Sequence, residues 1–322
     1  MTPLRRRYAV LVALVAGVLA APAHAIDQMK MMIPAGPGGG WDQTGRNLGA
    51  AMQAAGAVKS IQYENKGGAG GAIGLAQFLT SNKGDPNALI VAGMVTVGAT
   101  HMNKSPVTLA NVTPIARLTA EADAIVVSAS SPIKNAKDLV AALKANPGAV
   151  SFAGGSAGGV DHLVAALIAK DAGVDPSKVN YVPFTSGPEA VAAVLGGQVA
   201  VGISGIGEFS QHIKAGRVRA IAVSSGSRLA GVDIPTLKEQ GVNVELVNWR
   251  GVWGAPGISA EQKKALVAAV EAGLGNAKWK EAVERLDWTS FTLTGDAFGA
   301  FVESETKRIR AILDQLSLRA KQ

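Results

Sequence analysis

Short runs rich in Val, Ile and Ala alternate with longer stretches whose apolar residues recur at helical spacing. The apolar runs predict buried strands at Gln28–Ile33, Lys59–Glu64, Ala88–Met94, Ala124–Ser128, Ala149–Ala153, Val179–Pro183, Val199–Ser204 and Val218–Ser224. Helices are expected between them at Asp42–Ala55, Ala72–Ser81, Asn135–Ala145, Val160–Ala172, Pro188–Leu195 and Glu208–Ala215. Gly173 and Gly216 stand where C-terminal caps belong. The tail reads as helix at Ala260–Leu274, Ala277–Leu286 and Asp296–Leu318. In the last of these Phe298, Phe301, Ile309, Ile312, Leu313 and Leu316 form a packing stripe. Strand–helix alternation predicts an α/β protein with mostly parallel sheets flanked by helices.

Four times an apolar run ends in a small-residue cluster and opens into a helix. The clusters are Pro34–Asp42, Asn65–Gly71, Gly154–Gly159 and Phe184–Pro188. The first amides of a helix lack acceptors and its dipole favours negative charge, so such a turn can hold an anion. Glycine removes the Cβ that would keep a ligand away. Two turns precede residue 75 and two lie between 154 and 188. This split predicts two lobes facing a shared cleft: residues 26–123, then 124–250, with 251–322 returning to the first lobe. The break is placed near Thr119–Ala124, where apolar density drops, and the return near Trp249–Ala255.

The candidate ligand-binding residues are Pro37, Gly38, Gly39, Gly40 and Trp41 in the first turn and Gly68, Ala69 and Gly70 in the second, joined by Thr96. From the second lobe come Ser156, Ala157, Gly158, Thr185, Ser186, Gly187 and Ser204. Trp41 is expected as an apolar wall. Asp42 is expected to cap its own helix rather than face an anion.

Residues 1–25 read as a signal peptide. Arg5–Arg7 precede an apolar run at Tyr8–Ala20, and Ala23-His24-Ala25 fits a cleavage site before Ile26. Periplasmic export follows. With no cysteine in the chain, neither disulfides nor thiol chemistry are available. Removing the three leader arginines leaves 28 basic side chains against 24 acidic, a charge of about +4. With aromatics at 5% and no basic run between them, nucleic-acid binding is not expected.

Catalytic equipment is sparse. Gly154-Gly155-Ser156-Ala157-Gly158 matches the G-x-S-x-G elbow of serine hydrolases. The histidines that follow are His162, one turn into the same helix, and His212, on an amphipathic one. A secreted hydrolase using Ser156 is kept as a remote alternative. The Asn65–Gly71 turn fails both the dinucleotide and the P-loop spacing. Neither a catalytic residue, a metal site nor a cofactor is predicted.

The segments Pro34–Arg46, Tyr63–Gly74, Ser151–His162, Tyr181–Phe184, Leu195–Gln198, Arg219–Val223 and Ile234–Leu237 occur in an order that resembles the extracytoplasmic solute receptors of tripartite tricarboxylate transporters. The likeness covers essentially the whole chain after the leader. Gly38–Arg46 with Asn248–Val252 is similar to the tricarboxylate-binding, TctC-like (Bug) branch. The resemblance implies a two-lobed type II periplasmic binding protein. It also implies a first-lobe grip on a carboxylate at Pro37–Gly40 and Gly68–Gly70, with second-lobe contacts at Ser156–Gly158 and Thr185–Gly187. Citrate or a related tricarboxylate is then the expected ligand. A dicarboxylate, amino acid or aromatic acid is the alternative within the same fold. The expected partners are a large and a small membrane subunit, with a sensor kinase as a further possibility, and the receptor itself is expected to be a monomer. Many such receptors carry Asp where this chain has Ser204, which suggests a more anionic ligand here.

Overall fold

The computed structural model describes residues 25–185, 187–229 and 231–316. Residues 1–24 of the signal-peptide reading, Ser186, and the last two residues of the predicted C-terminal helix fall outside them.

The first lobe is built on strands β1 (Ile26–Ile33), β2 (Val58–Asn65) and β3 (Ala88–Gly93), with helices α1 (Gly40–Ala54), α2 (Ala72–Ser81) and α3 (Met94–Met102) following in turn. Strand β4 (Thr113–Ser128) leads out of it. The second lobe continues through α4 (Ala136–Ala145), β5 (Ser151–Gly154), α5 (Val160–Asp171), β6 (Asn180–Pro183), α6 (Gly187–Leu195), β7 (Val201–Gly205), α7 (Ile206–Lys214) and β8 (Val218–Val223). Strand β9 (Val247–Gly254) returns the chain. Helices α8 (Ala260–Gly275) and α9 (Ala277–Arg285), strand β10 (Thr289–Thr294) and helix α10 (Gly295–Gln315) complete the first lobe.

Pairing is parallel within the strand–helix–strand units, β2 with β1, β1 with β3, β6 with β5 and β5 with β7. It is antiparallel wherever β4, β8, β9 or β10 takes part. Each sheet is therefore mixed, because the strands that carry the chain between lobes run against the others. Strand β4 serves both sheets. Residues Thr113–Ala122 pair with β9, and Asp123–Val127 pair with β7.

Sequence reading placed only Ala124–Ser128 of β4 in a strand. The missing half contains Arg117, Glu121 and Asp123, which looked like a loss of core character. All three are buried, at 6%, 2% and 0% exposure, so polar residues here sit inside the strand rather than in a linker. Helix α3 was also missed, because it follows β3 at Gly93 with no polar linker to announce it. Strand β10 was missed because Thr289-Ser290-Phe291-Thr292 is exposed throughout and shows no alternation. The C-terminal stripe packs as expected: Phe298, Ile309, Leu313 and Leu316 are buried, with Phe301 and Ile312 packed against them. Among the described residues no helix is long and apolar enough to cross a membrane.

Parallel strands followed by helices place the turns after β1, β2, β5, β6 and β7 along one edge in each lobe. These two edges meet across the cleft.

Candidate functional site

A cavity of about 80 Å³ opens between the lobes. The first lobe supplies Pro34, Ala35, Gly39, Gly40, Trp41, Gly68, Gly71 and Val95. Opposite stand Gly155, Ser156, Asp161, Thr185, Gly187, Ser204 and Glu208 from the second lobe. Asn248 and Arg250 of the return strand β9 complete the wall.

Of the sequence-predicted residues, Gly39, Gly40, Trp41, Gly68, Ser156, Thr185, Gly187 and Ser204 line this cavity. Others lie near it without lining it. Pro37, Gly38 and Ala69 are exposed. Gly70 is buried where a Cβ would run into Ala99 and approach Ser156 across the cleft, so its part is close approach of the lobes. The Ala157–Gly158 turn packs toward α3, with Gly158 against Gly98 and Met102. Thr96 is buried, and its Oγ1 has no hydrogen-bond partner among the described residues. It lies 3.3 Å from where a Cβ on Gly71 would be.

The helix-start amides already meet carboxylates, and these belong to the protein. The Gly40 N–H donates across the cleft to Glu208 Oε1 at 2.7 Å. The Gly38 N–H donates to Asp42 Oδ2 at 3.0 Å. Asp42 thus bonds back to the residue four before it, not forward along its helix as the sequence suggested. Its other oxygen accepts from Arg46 Nε and Asn65 Nδ2. The Gly155 N–H donates to Asp161 Oδ2. Thr185 donates both its N–H and its hydroxyl to Glu189, which fixes the start of α6 rather than offering the hydroxyl to the cavity. Helix termini favour negative charge for the reasons that made them candidate anion sites, and here side chains of the same chain use that preference.

The acids carry consequences. Glu121 on β4 pairs with Arg250 on β9, both side chains nearly fully buried, and Arg250 lies over the Trp288 ring. Asp123, fully buried, has no N–H or O–H donor of its own among the described residues. It lies against Asp161, and two buried carboxyl groups side by side disfavour having both ionised. Burial, then the charges of Asp161 and Glu121, hold Asp123 well above the carboxylate range. Burial pushes Asp161 up to about 6, opposed by the Gly155 N–H. Burial and then Glu121 push Glu208 up to about 7, opposed by the Ser204 hydroxyl and Arg250. Ser204 Oγ donates to Glu208 Oε2 at 2.8 Å. Ser204 therefore meets an acid from four residues along, so the wall at this position is not without a carboxyl group.

Sequence reasoning missed Asp161 and Glu208. Both sit in the first turn of a helix, a position usually explained by the dipole alone. His162, the one nearby histidine for a Ser156 nucleophile, accepts the Gly158 N–H at its Nδ1 and stacks on Tyr181 with ring centroids 4.3 Å apart. No group of three or more metal-ligating acids, histidines or cysteines is found among the described residues.

Two mixed-sheet lobes joined by the shared strand β4, with turns from both converging on one cavity, have the fold of a type II periplasmic binding protein. Residues 47–318 match the family model described as "Tripartite tricarboxylate transporter family receptor", and the chain belongs to that family. It is 25% identical over 313 residues to Protein BugT of Bordetella pertussis, covering 95% of this chain and 94% of that one. The structure of the periplasmic binding protein BugD superposes with a TM-score of 0.82 at 24% identity, covering 92% and 99% of the two chains. MatC from Rhodopseudomonas palustris, solved with bound malate, superposes with a TM-score of 0.79 at 23% identity, covering 89% and 99%.

Proposed function

We propose that this chain is an exported receptor that captures a small organic carboxylate between its lobes and delivers it to the large and small membrane subunits of a tripartite tricarboxylate transporter. The observation that carries the reading is the convergence of helix-start turns from both lobes, Gly39–Trp41 and Gly68 facing Ser156 and Gly187, on one cavity. Family membership and the malate held by MatC support it. In this reading the hinge lies where β4 changes partners between Ala122 and Asp123, and the lobes are residues 26–123 with 251–322, and 124–250. The receptor works as a monomer in the periplasm and catalyses nothing, His162 being committed to the Gly158 amide and Tyr181.

Citrate is the tricarboxylate to test first. A dicarboxylate is the second reading, and a specific observation favours it: Asp161 and Glu208 already place two carboxyl groups on the second-lobe wall. A thermal-shift screen of the chain from Ile26, against di- and tricarboxylates with and without Mg²⁺ or Ca²⁺, separates them. A solute at about 100 times its Kd adds about 2.7 kcal/mol of stability, a shift of degrees. A shift confined to tricarboxylates supports citrate capture. A shift with dicarboxylates alone keeps the receptor and discards citrate. No shift with any carboxylate overturns the proposal.

A further inference from the structure

A larger cavity, of about 310 Å³, lies within the first lobe, enclosed by α3, the chain leading into β4, the end of β9 and α10. No described residue lines both this cavity and the one between the lobes. The pattern of α10 explains it. Phe298, Ile309 and Leu313 pack into the core. The adjacent stripe of Gly299, Val302, Thr306 and Arg310, at three- and four-residue spacing, faces the cavity instead. Gly299 brings no side chain to fill the space, and a Cβ there would stand 3.4 Å from Pro114 Cγ.

The interior and the mouth of this cavity differ in chemistry. Val97, Leu109, Val112, Val302 and Trp253 line it and are buried, Trp253 completely. The Trp253 Nε1 has no hydrogen-bond partner among the described residues. Thr100, the other buried polar side chain of the lining, donates its hydroxyl to the Thr96 carbonyl at 2.7 Å. The indole N–H is therefore the unmet polar group here, and a buried donor without an acceptor is costly. Glu303, Lys307 and Arg310 are exposed and form the mouth. Glu303 pairs with Lys307 at 2.7 Å, whereas Arg310 has no ion-pair partner among the described residues. The mouth thus carries an excess of positive charge.

We propose that this cavity is a separate ligand site, and that it takes an aromatic monocarboxylate with an oxygen acceptor on the far side of its ring. The carboxylate meets Arg310 and Lys307 at the mouth, the ring fills the apolar interior, and the distal oxygen accepts the Trp253 N–H. The volume falls at the lower end of cavities that hold small organic ligands, about 300–1,000 Å³. An aromatic body also gains against the Trp253 indole beyond the area it buries, which an alkyl chain does not. Two elements border both cavities. Helix α3 gives Val95 to the one between the lobes and Val97 to this one, and β9 gives Arg250 and Trp253 in the same way. A test must therefore tell the two sites apart.

Tryptophan supplies the reporters, since Trp41 lines one cavity and Trp253 the other. The indole N–H signals of the chain's five tryptophans are followed by NMR on isotope-labelled protein. Trp253 is assigned through its ring contact with Phe298. The probes are 4-hydroxyphenylacetate, phenylacetate, which lacks the distal oxygen, and tyramine, which puts an ammonium group at the mouth. The hydroxy acid is expected to move the Trp253 signal to saturation. Phenylacetate is expected to bind about two- to tenfold more weakly, and tyramine to leave the signal in place. Arg310→Glu, an exposed change, is expected to weaken the hydroxy acid about fivefold. Gly299→Leu fills the space and is expected to abolish the Trp253 response, with a melting curve showing that the variant is folded. Should it fail to fold, Arg310→Glu decides. A Trp253 signal that stays fixed at about 10 mM hydroxy acid, or that responds equally to phenylacetate or tyramine, overturns the proposal. So does unchanged affinity in Arg310→Glu, or movement of the Trp41 signal alone, which assigns the acid to the space between the lobes.

Discussion

The two walls of the cleft are built by different means. The first-lobe wall uses backbone: Gly39, Gly40, Gly68 and Gly71 bring peptide groups to the cavity, and Trp41 closes one side. The second-lobe wall adds side chains from distant parts of the chain, namely Asp161 from α5 and Glu208 from α7, with Glu121 and Asp123 behind them on β4. A backbone wall is set by local conformation and tolerates little change in shape. A side-chain wall is set by burial and mutual charge, and it can be retuned one residue at a time. In the proposed receptor, the grip on a carboxylate is then expected of the first lobe, and choice among solutes of the second.

The sharpest way to break this comparison is at the ion pair that holds the side-chain wall in place. Arg250→Ala leaves Glu121 buried near Asp123, Asp161 and Glu208 without its partner. A loss of about 3–5 kcal/mol is expected, because one charge of a buried pair is left uncompensated. Urea unfolding measures it, and a loss below about 1 kcal/mol would mean that the pair behaves as an exposed one.

Gly71→Ala strikes the backbone wall instead. Gly71 has φ +90°, and a Cβ there would lie 2.9 Å from the Trp41 ring. Strain and overlap together predict a loss of about 1–3 kcal/mol. Affinity should fall with it, since Trp41 and Gly71 both line the cavity.

The pH dependence sharpens the contrast because only the second-lobe wall titrates near neutrality. Asp161 and Glu208 have folded-state values raised to about 6 and about 7, above their unfolded values. The native state therefore holds protons that the unfolded chain has released, and stability is lost as pH rises through that range. The solute-free protein should melt higher at about pH 5.5 than at about pH 8. Glu208→Gln should flatten the upper part of that slope, and an unchanged slope would show that Glu208 does not titrate there.

Smallest are the hydroxyl deletions. Ser156 lines the cavity, and Ser156→Ala should weaken solute binding by about 1 kcal/mol. Thr185 spends its hydroxyl on Glu189, so Thr185→Ala should change affinity by less than about 0.5 kcal/mol. Equal losses in both would show that the Thr185 hydroxyl leaves Glu189 to meet the solute.

The backbone wall was legible in the sequence because its chemistry is local. A glycine-rich turn between a strand and a helix declares itself in a few residues, and Gly39–Trp41, Gly68, Ser156 and Gly187 all reach the cavity. The side-chain wall was not legible. Arg250 and Glu121 are 129 residues apart, and Gly40 and Glu208 are 168 apart. Nothing in the spacing joins them. The acids of β4 also interrupt an apolar pattern and so resembled the end of an element, when they lie buried within it behind the cavity wall. Ser204 shows the same limit from the other side, since Glu208 places beside it in space the acid that its own side chain lacks.

The path of the chain through the sheets also fixes an order of completion. The strands β5, β6, β7 and β8 of the second lobe have all appeared by Val223, and β4 precedes them. The first lobe begins at Ile26 yet waits for β9 and β10, which end at Gly254 and Thr294. A chain emerging N-terminus first, from a ribosome or a membrane pore, can close its middle before its beginning. Until β9 arrives, β3 and the first half of β4 each present an unpaired strand edge, the kind of surface that recruits other chains. The N-terminal lobe is thus the part most in need of protection during biogenesis, although it is the first to be made.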